Sequence, residues 1–351
     1  MYATSRSAYD LTPAEWTDLC LAWGVPSFRA AQIRQWLYAR QVPSFAEMGN
    51  LPATLRARMA ETLLDLEGTA RVKEGSGTAG DTRKLLLELQ DGEGIETVLI
   101  PAHDRITVCV SSQAGCAFAC AFCASGKIGL ARNLSAGEIV AQVLQAARLA
   151  RARPSNLVFM GIGEPFANYD AVLHAVRTLN DPEGLGIGAR HITLSTCGVV
   201  PGIRRFAEEG LQVELSVSLH APTDEQRSAI MPVNKRWPLT ELMPACRDYT
   251  ARTNRIITFE YTLVRGFNDA PADADALVRL LRDLKCRVNL IPLSPVDEFE
   301  GQTPPGETLH GFRDALLRAG INATLRLSRG AGVNAACGQL RLRRHTRHRF
   351  F

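Results

Sequence analysis

The sequence contains no apolar run approaching the roughly 18–20 residues that a bilayer-spanning helix needs, so a helical membrane protein is excluded on pattern. Its opening stretch, MYATSRSAYDLTPAEW, has neither the basic start nor the apolar centre of a secretory signal. A soluble protein of the cytoplasm, with no membrane partner, is therefore expected. No low-complexity tract and no internal repeat is visible, which sets aside disordered linkers and solenoids. Charge of one sign is also scarce. Forty Lys and Arg against 36 Asp and Glu leave a net +4, too little to mark a nucleic-acid-binding protein by composition. The basic residues gather instead in the last eleven positions, RLRRHTRHRFF, where Arg341, Arg343, Arg344, Arg347 and Arg349 could hold a phosphate backbone. The competing reading of that run is a solvated terminus.

A chain of 351 residues, 46% hydrophobic, can bury one large core with a small appendage. Residues 1–68 read as helical: Thr12, Pro13 and Glu15 spell a capping box with proline at the first helical position, and Ser44 with Glu47 spells a second. In FRAAQIRQWLY, Ile33, Trp36 and Leu37 share a helical face, and Pro52 opens a further helical stretch through Leu64. Residues 69–104 change period, with TRKLLLELQ and IETVLIP as strands about the turn Asp91–Gly94. From residue 105 to 335 strands alternate with helices: ITVCVSS, NLVFMGI, HITLST, VELSVSL, TFEYTLV, RVNLIPL and ATLRLS. Repeated βα units imply an α/β fold with a parallel sheet, open or rolled towards a barrel. Residues 336–351 form a cysteine-containing loop and the basic tail.

Nine cysteines is an odd number, and they are not spread as a disulfide framework. Cys116, Cys120 and Cys123 make a C-x3-C-x2-C run just after the strand ITVCVSS. Three thiolates so close together can grip three irons of a [4Fe–4S] cluster and leave the fourth iron open, as catalytic metal sites do. Zinc is the alternative, but no Cys or His follows Cys123 within forty residues, so His191, Cys197 or His220 would have to be brought in by the fold. The spacing favours the cluster. Cys20, Cys197, Cys246 and Cys286 are assigned to packing.

This spacing on a first βα loop resembles the radical S-adenosylmethionine (SAM) superfamily. The further segments CVSSQAGC, CASGKIGLARNLSAGEIVAQV, GIGEP, TLSTCGVVP, SVSLHAP and AACGQL, in that order, are similar to the RlmN/Cfr family of adenine methyltransferases. The resemblance implies a partial (β/α) barrel core with an N-terminal helical module that contacts RNA. It implies a [4Fe–4S] cluster on Cys116, Cys120 and Cys123, and SAM as methyl donor and radical source. Cys337 would carry a methyl group to the adenine, Cys109 would resolve the resulting adduct through a disulfide with Cys337, and Glu96 would accept the ring proton. Gly163, Glu164, Ser195, Ser218, Leu219, His220 and Ser294 would contact SAM. Implied partners are 23S ribosomal RNA, transfer RNA as a second substrate, an electron donor such as flavodoxin, and a thiol reductant.

Taken without the resemblance, Cys109 in mid-strand reads as a small buried hydrophobe and Glu96 as an edge charge. Two departures from the family pattern stand out. Ser294 occupies the place of an asparagine, and Gly332 and Asn334 occupy the places of two aspartates before Cys337. Pro165 after Glu164 resembles the members that methylate adenine carbon 2. Methylation at carbon 8, and a radical SAM enzyme with a non-RNA substrate, are the alternatives.

Overall fold

Thr12 begins the first long helix as its sequence predicts: its hydroxyl accepts from Glu15 N at 3.2 Å and the Glu15 carboxylate accepts from Thr12 N at 2.8 Å. The computed structural model describes residues 6–77, 82–127, 129–294 and 299–326. This helix, α1 (Pro13–Ala22), is followed by α2 (Phe28–Arg34), which runs into a π-helical turn at Gln35–Ala39, and by α3 (Ala53–Thr62). Ile33 and Leu37 are fully buried and Trp36 half-buried, as the helical period requires. The second capping box does not form. Phe45–Glu47 is a single 3-10 turn whose Glu47 amide bonds the Ser44 carbonyl at 3.3 Å, so the Ser44 hydroxyl meets only the Glu47 carboxylate.

Strands β1 (Arg71–Ser76), β2 (Arg83–Glu88), β3 (Gly94–Ala102) and β4 (Arg105–Cys109) form an antiparallel meander. β1 escaped sequence reading because RVKEGS is polar and exposed, an edge strand without a buried stripe. The cysteine loop and the short helix α4 (Ala124–Lys127) are bracketed by a small hairpin of β5 (Gln113–Gly115) and β6 (Leu130–Asn133). The alternation then runs α5 (Ala136–Ala150), β7 (Asn156–Phe159), α6 (Tyr169–Asn180), β8 (Ile192–Thr196), α7 (Val200–Phe206), β9 (Glu214–Ser218), α8 (Asp224–Ile230) and α9 (Leu239–Thr253). It closes with β10 (Ile257–Leu263), α10 (Pro271–Leu281), β11 (Cys286–Pro292), α11 (Gly306–Arg318) and β12 (Asn322–Leu325). All seven strands expected from residue 105 onward are present.

These elements build one open sheet in the order β1-β2-β3-β4-β7-β8-β9-β10-β11-β12. β4 is the pivot: it pairs antiparallel with β3 and parallel with β7, and every later pairing is parallel. A parallel sheet covered on both faces reads as continuous apolar strands. Here the faces differ. Leu157, Phe159, Ile192, Leu194, Leu215, Val217, Ile257 and Phe259 alternate onto the face that joins the hydrophobic core. The intervening positions Thr193, Ser195, Ser216, Ser218, Thr258 and Glu260 share the opposite, polar face in register. Thr97 donates to Gln142 of α5 at 2.9 Å, so its neighbour Glu96 on β3 belongs to that polar face.

The N-terminal helices dock on the core through charge as well as packing. Asp10 accepts from Gly137 N at 2.5 Å at the start of α5, where the aligned helix amides favour an anion. Gly137 leaves room for this contact, since a Cβ there would lie 2.9 Å from the Asp10 carboxyl carbon. Arg34, 6% exposed, pairs with Asp181 just beyond α6 and with Glu183 at 2.8 Å. Among the described residues no helix is long and apolar enough to cross a membrane. Asp10→Ala removes a charge-assisted bond across the docking surface and is expected to cost about 1–2 kcal/mol, seen as a fall of a few degrees in the calorimetric Tm.

Candidate active site

At the C-terminal ends of the parallel strands the chain turns through tight loops whose backbone groups lack ladder partners. After β4, Asn168 donates to Ser112 O and Leu134 O, both at 2.8 Å. After β7 the run Gly161–Pro165 lies directly against the β4 loop. A Cβ on Gly161 would come within 2.6 Å of Val110 O, and Gly163 holds φ +104° with Gln113 2.6 Å from its virtual Cβ. Only glycine fits either place. After β9 the guanidinium of Arg227, fully buried, donates to Leu219 O, Ser218 O and Cys197 O at 3.2, 3.1 and 2.7 Å.

Glu164 follows Gly163 and is 3% exposed. Its two carboxylate oxygens accept from Phe166 N at 3.0 Å and from Cys197 N at 2.7 Å, while its own amide donates to Gln113 at 2.8 Å. Burial pushes its carboxyl up, and the two amides pull the other way. His220 adopts a left-handed backbone, φ +57°, pinned by Asn268 Nδ2 on its carbonyl at 2.7 Å. Its Nδ1 accepts from Thr262 N at 2.9 Å, which leaves the proton on Nε2. Burial, with Arg227 adding, pushes the imidazole down to about 3, so it is neutral at physiological pH.

The cysteine loop is fixed from both sides. Cys116 N donates to Gly129 O at 3.0 Å across the hairpin, and Ala121 N donates to Ile230 O at 2.9 Å at the end of α8. The Phe122 ring meets His220 edge-on at 4.6 Å. Cys116, Cys120 and Cys123 thereby line one side of a cavity of about 350 Å³, with Gly163, Glu164, Ser195, Ser218 and His220 also on its walls.

Eight of the residues expected from sequence thus converge. Leu219 does not line the cavity: its side chain is fully buried in the core, and only its backbone serves the loop. Ser294 is half-buried and also absent from the lining. Cys337, Gly332, Asn334 and the arginine tail lie outside the described residues. Glu96 and Cys109 line no part of this cavity, but they share the polar face: Cys109 is the register partner of Val98, two residues from Glu96. Glu96 is ion-paired to Lys84 at 3.1 Å, and both are buried. No disulfide is found among the described residues, so the expected Cys109–Cys337 disulfide is not supported here.

Two further residues on the cavity wall bear a thiol or a carboxyl, Cys197 and Glu260. Cys197, assigned to packing from sequence, lines the cavity and presents its amide to Glu164. Its position directly after a strand, in TLSTCG, is the signal that marks it. Glu260, in the middle of β10, carries no sequence signal beyond being a charge inside an apolar strand. Cys20 and Cys246 are fully buried, as packing residues should be.

The donor set fits a cluster better than zinc. Among the described residues no three His, Cys, Asp or Glu converge on one ion-sized position, which zinc requires. A cubane is held one thiolate per iron, by sulfurs spread around its faces. Burial pushes Cys116 up to about 12 and Cys120 up as well, and a metal group bound there would displace their protons. Lys84→Met leaves Glu96 buried without its ammonium. It is expected to cost about 3–5 kcal/mol in chemical denaturation, and Glu96→Gln added to it should recover part of that loss.

Residues 8–64 match the ribosomal RNA large subunit methyltransferase N-terminal domain, and residues 110–281 match the radical SAM superfamily. The chain is 48% identical over 337 residues to the probable dual-specificity RNA methyltransferase RlmN of Symbiobacterium thermophilum, covering 95% of this chain and 91% of that protein. It is 45% identical over 329 residues to the protein of the same description from Akkermansia muciniphila, covering 92% and 91%. The solved structure of a radical SAM methyltransferase from Sphaerobacter thermophilus superposes with a TM-score of 0.92 at 49% identity, over 95% of this chain and 98% of that one.

Proposed function

This chain belongs to the RlmN family of radical SAM RNA methyltransferases, and from that membership we propose that it methylates carbon 2 of one adenosine in 23S ribosomal RNA, with transfer RNA as a second substrate. The observation that carries the reading is the convergence of Cys116, Cys120 and Cys123 with Gly163, Glu164, Ser195, Ser218 and His220 on one cavity at the strand ends.

Cys116, Cys120 and Cys123 would hold the [4Fe–4S] cluster, and the loop Gly161–Pro165 with the β8 and β9 ends would hold SAM. Together the cluster and SAM supply the methyl group and the one-electron chemistry that an unactivated ring carbon demands. The chain's own residues do the rest. Cys337 carries the methyl carbon to adenine carbon 2, which leaves RNA tethered to the protein through a thioether. Glu96, held in place by its ion pair with Lys84, accepts the ring proton. Cys109 attacks the sulfur of Cys337, forming a sulfur–sulfur bond as the sulfur–carbon bond breaks; the departing methylene carbon takes up a proton to complete the methyl group, and a thiol reductant restores both cysteines. Neutral His220 and the buried Glu164 stand on the wall of the cavity that would hold SAM. The helical module of residues 1–68, the extension 69–104 and the basic residues of 336–351 are the surfaces offered to folded RNA, from which the base must be extruded. An electron donor of flavodoxin type would serve the cluster.

The test is anaerobic incubation of reconstituted protein with SAM, reductant and unmodified ribosomal RNA or transfer RNA, followed by mass spectrometry of digested RNA. Wild type is expected to yield 2-methyladenosine, Cys337→Ala none, and Cys109→Ala a protein–RNA adduct that persists through denaturation. Recovery of 8-methyladenosine would assign the carbon-8 reaction instead. SAM cleavage without methylation of either RNA would overturn the substrate.

A further inference from the structure

Four polar residues lie in one register row across neighbouring parallel strands. Ser218 of β9 pairs with Glu260 of β10, Glu260 with Asn289 of β11, and Asn289 with Thr324 of β12. The row is joined by hydrogen bonds. Thr324 Oγ1 donates to Asn289 Oδ1 at 2.7 Å, Asn289 Nδ2 donates to Glu260 Oε1 at 3.1 Å, and Ser216 Oγ reaches the same oxygen at 3.4 Å. All of this secures Oε1. The other oxygen, Oε2, is buried and has no hydrogen-bond partner among the described residues. Glu260 is 5% exposed and stands on the wall of the cavity that the three cysteines line.

A buried carboxylate oxygen without a donor carries the full desolvation penalty, which folded proteins tolerate where a ligand supplies the missing bond. The geometry narrows which donor that is. Glu164 sits beyond β7, and Glu260 sits three strands further along the sheet, past β8 and β9. A ligand whose amino-acid end lies by the cysteines and Glu164 extends its nucleoside end towards β9 and β10. The donor next along such a molecule is the ribose diol. A hydroxyl also suits this carboxyl in either protonation state, because it both donates and accepts. That matters because burial pushes Glu260 up while Arg326, Asn289, Ser216 and Arg287 pull it down.

We propose that Glu260 is a cofactor-binding residue whose Oε2 accepts a hydrogen bond from a ribose hydroxyl of SAM, held for that contact by the row through Asn289 to Thr324. The proposal rests on the reading of this cavity as the SAM site.

The experiment is isothermal titration of the anaerobically reconstituted protein with SAM and with its 2′-deoxy and 3′-deoxy analogues. Wild type is compared with Glu260→Gln, and iron content and Tm are recorded for both. Wild type is expected to bind one deoxy analogue about tenfold or more weaker than SAM, the loss of one hydrogen bond to a charged group. Glu260→Gln, folded and iron-loaded, is expected to bind SAM about tenfold weaker and to no longer distinguish that analogue. Wild type that binds both analogues as tightly as SAM overturns the proposal without recourse to any variant. So does Glu260→Gln that keeps the wild-type penalty, or that binds SAM normally and loses only affinity for RNA. Wild type that binds no SAM overturns the cavity reading itself, and the proposal with it.

Discussion

Every loop that builds the cavity depends on one constraint: backbone groups that leave the sheet at its C-terminal edge must be hydrogen-bonded without water. Buried polar side chains meet it, one per loop. Asn168 holds the carbonyls after β4, Glu164 the amides after β7 and β8, Arg227 the carbonyls after β8 and β9, and Asn268 the turn after β10. Each clasp joins two loops, so the loops hold one another in place. Glu164 shows the consequence: a residue on the cavity wall is also the brace between two strand ends. The glycines of GIGEP belong to the same economy, since the β7 loop can approach the β4 loop this closely only without side chains.

The second organising feature is the division of the sheet into an apolar and a polar face. The apolar face packs the helices and supplies the stability. The polar face would be a liability in a sheet covered on both sides, yet here it bounds the cavity through Ser195, Ser218 and Glu260. Glu96 with Lys84 and Cys109 lie towards the antiparallel end, and Glu260 with Asn289 towards the parallel end. Burying an ion pair such as Lys84–Glu96 adds little to stability compared with apolar residues of the same volume. The pair lies on the same face of the sheet as Cys109.

Much of this was legible in one dimension. The capping box at Thr12, the seven strands of the main sheet from β4 onward and the cysteine run depend on neighbours a few residues apart, and local patterns record such neighbours directly. The Ser44 box failed because a one-turn helix closes on its own carbonyl, a choice that composition does not reveal. β1 was missed because an exposed edge strand has no periodicity to read. Leu219 offers the loop only its backbone and Ser294 lies off the cavity wall, placements that a motif read along the chain does not reveal.

By itself, then, the sequence determined the kind of chemistry: three cysteines at C-x3-C-x2-C spacing can share a cluster because a single loop spans it. It determined the βα order as well, since helix and strand periods are local properties of the chain. Only the tertiary structure decided which side chains meet. Cys197 and Glu260 reach the cavity wall because parallel strands far apart in sequence are paired in register. That register is set by packing across the whole sheet, and no short stretch of sequence encodes it.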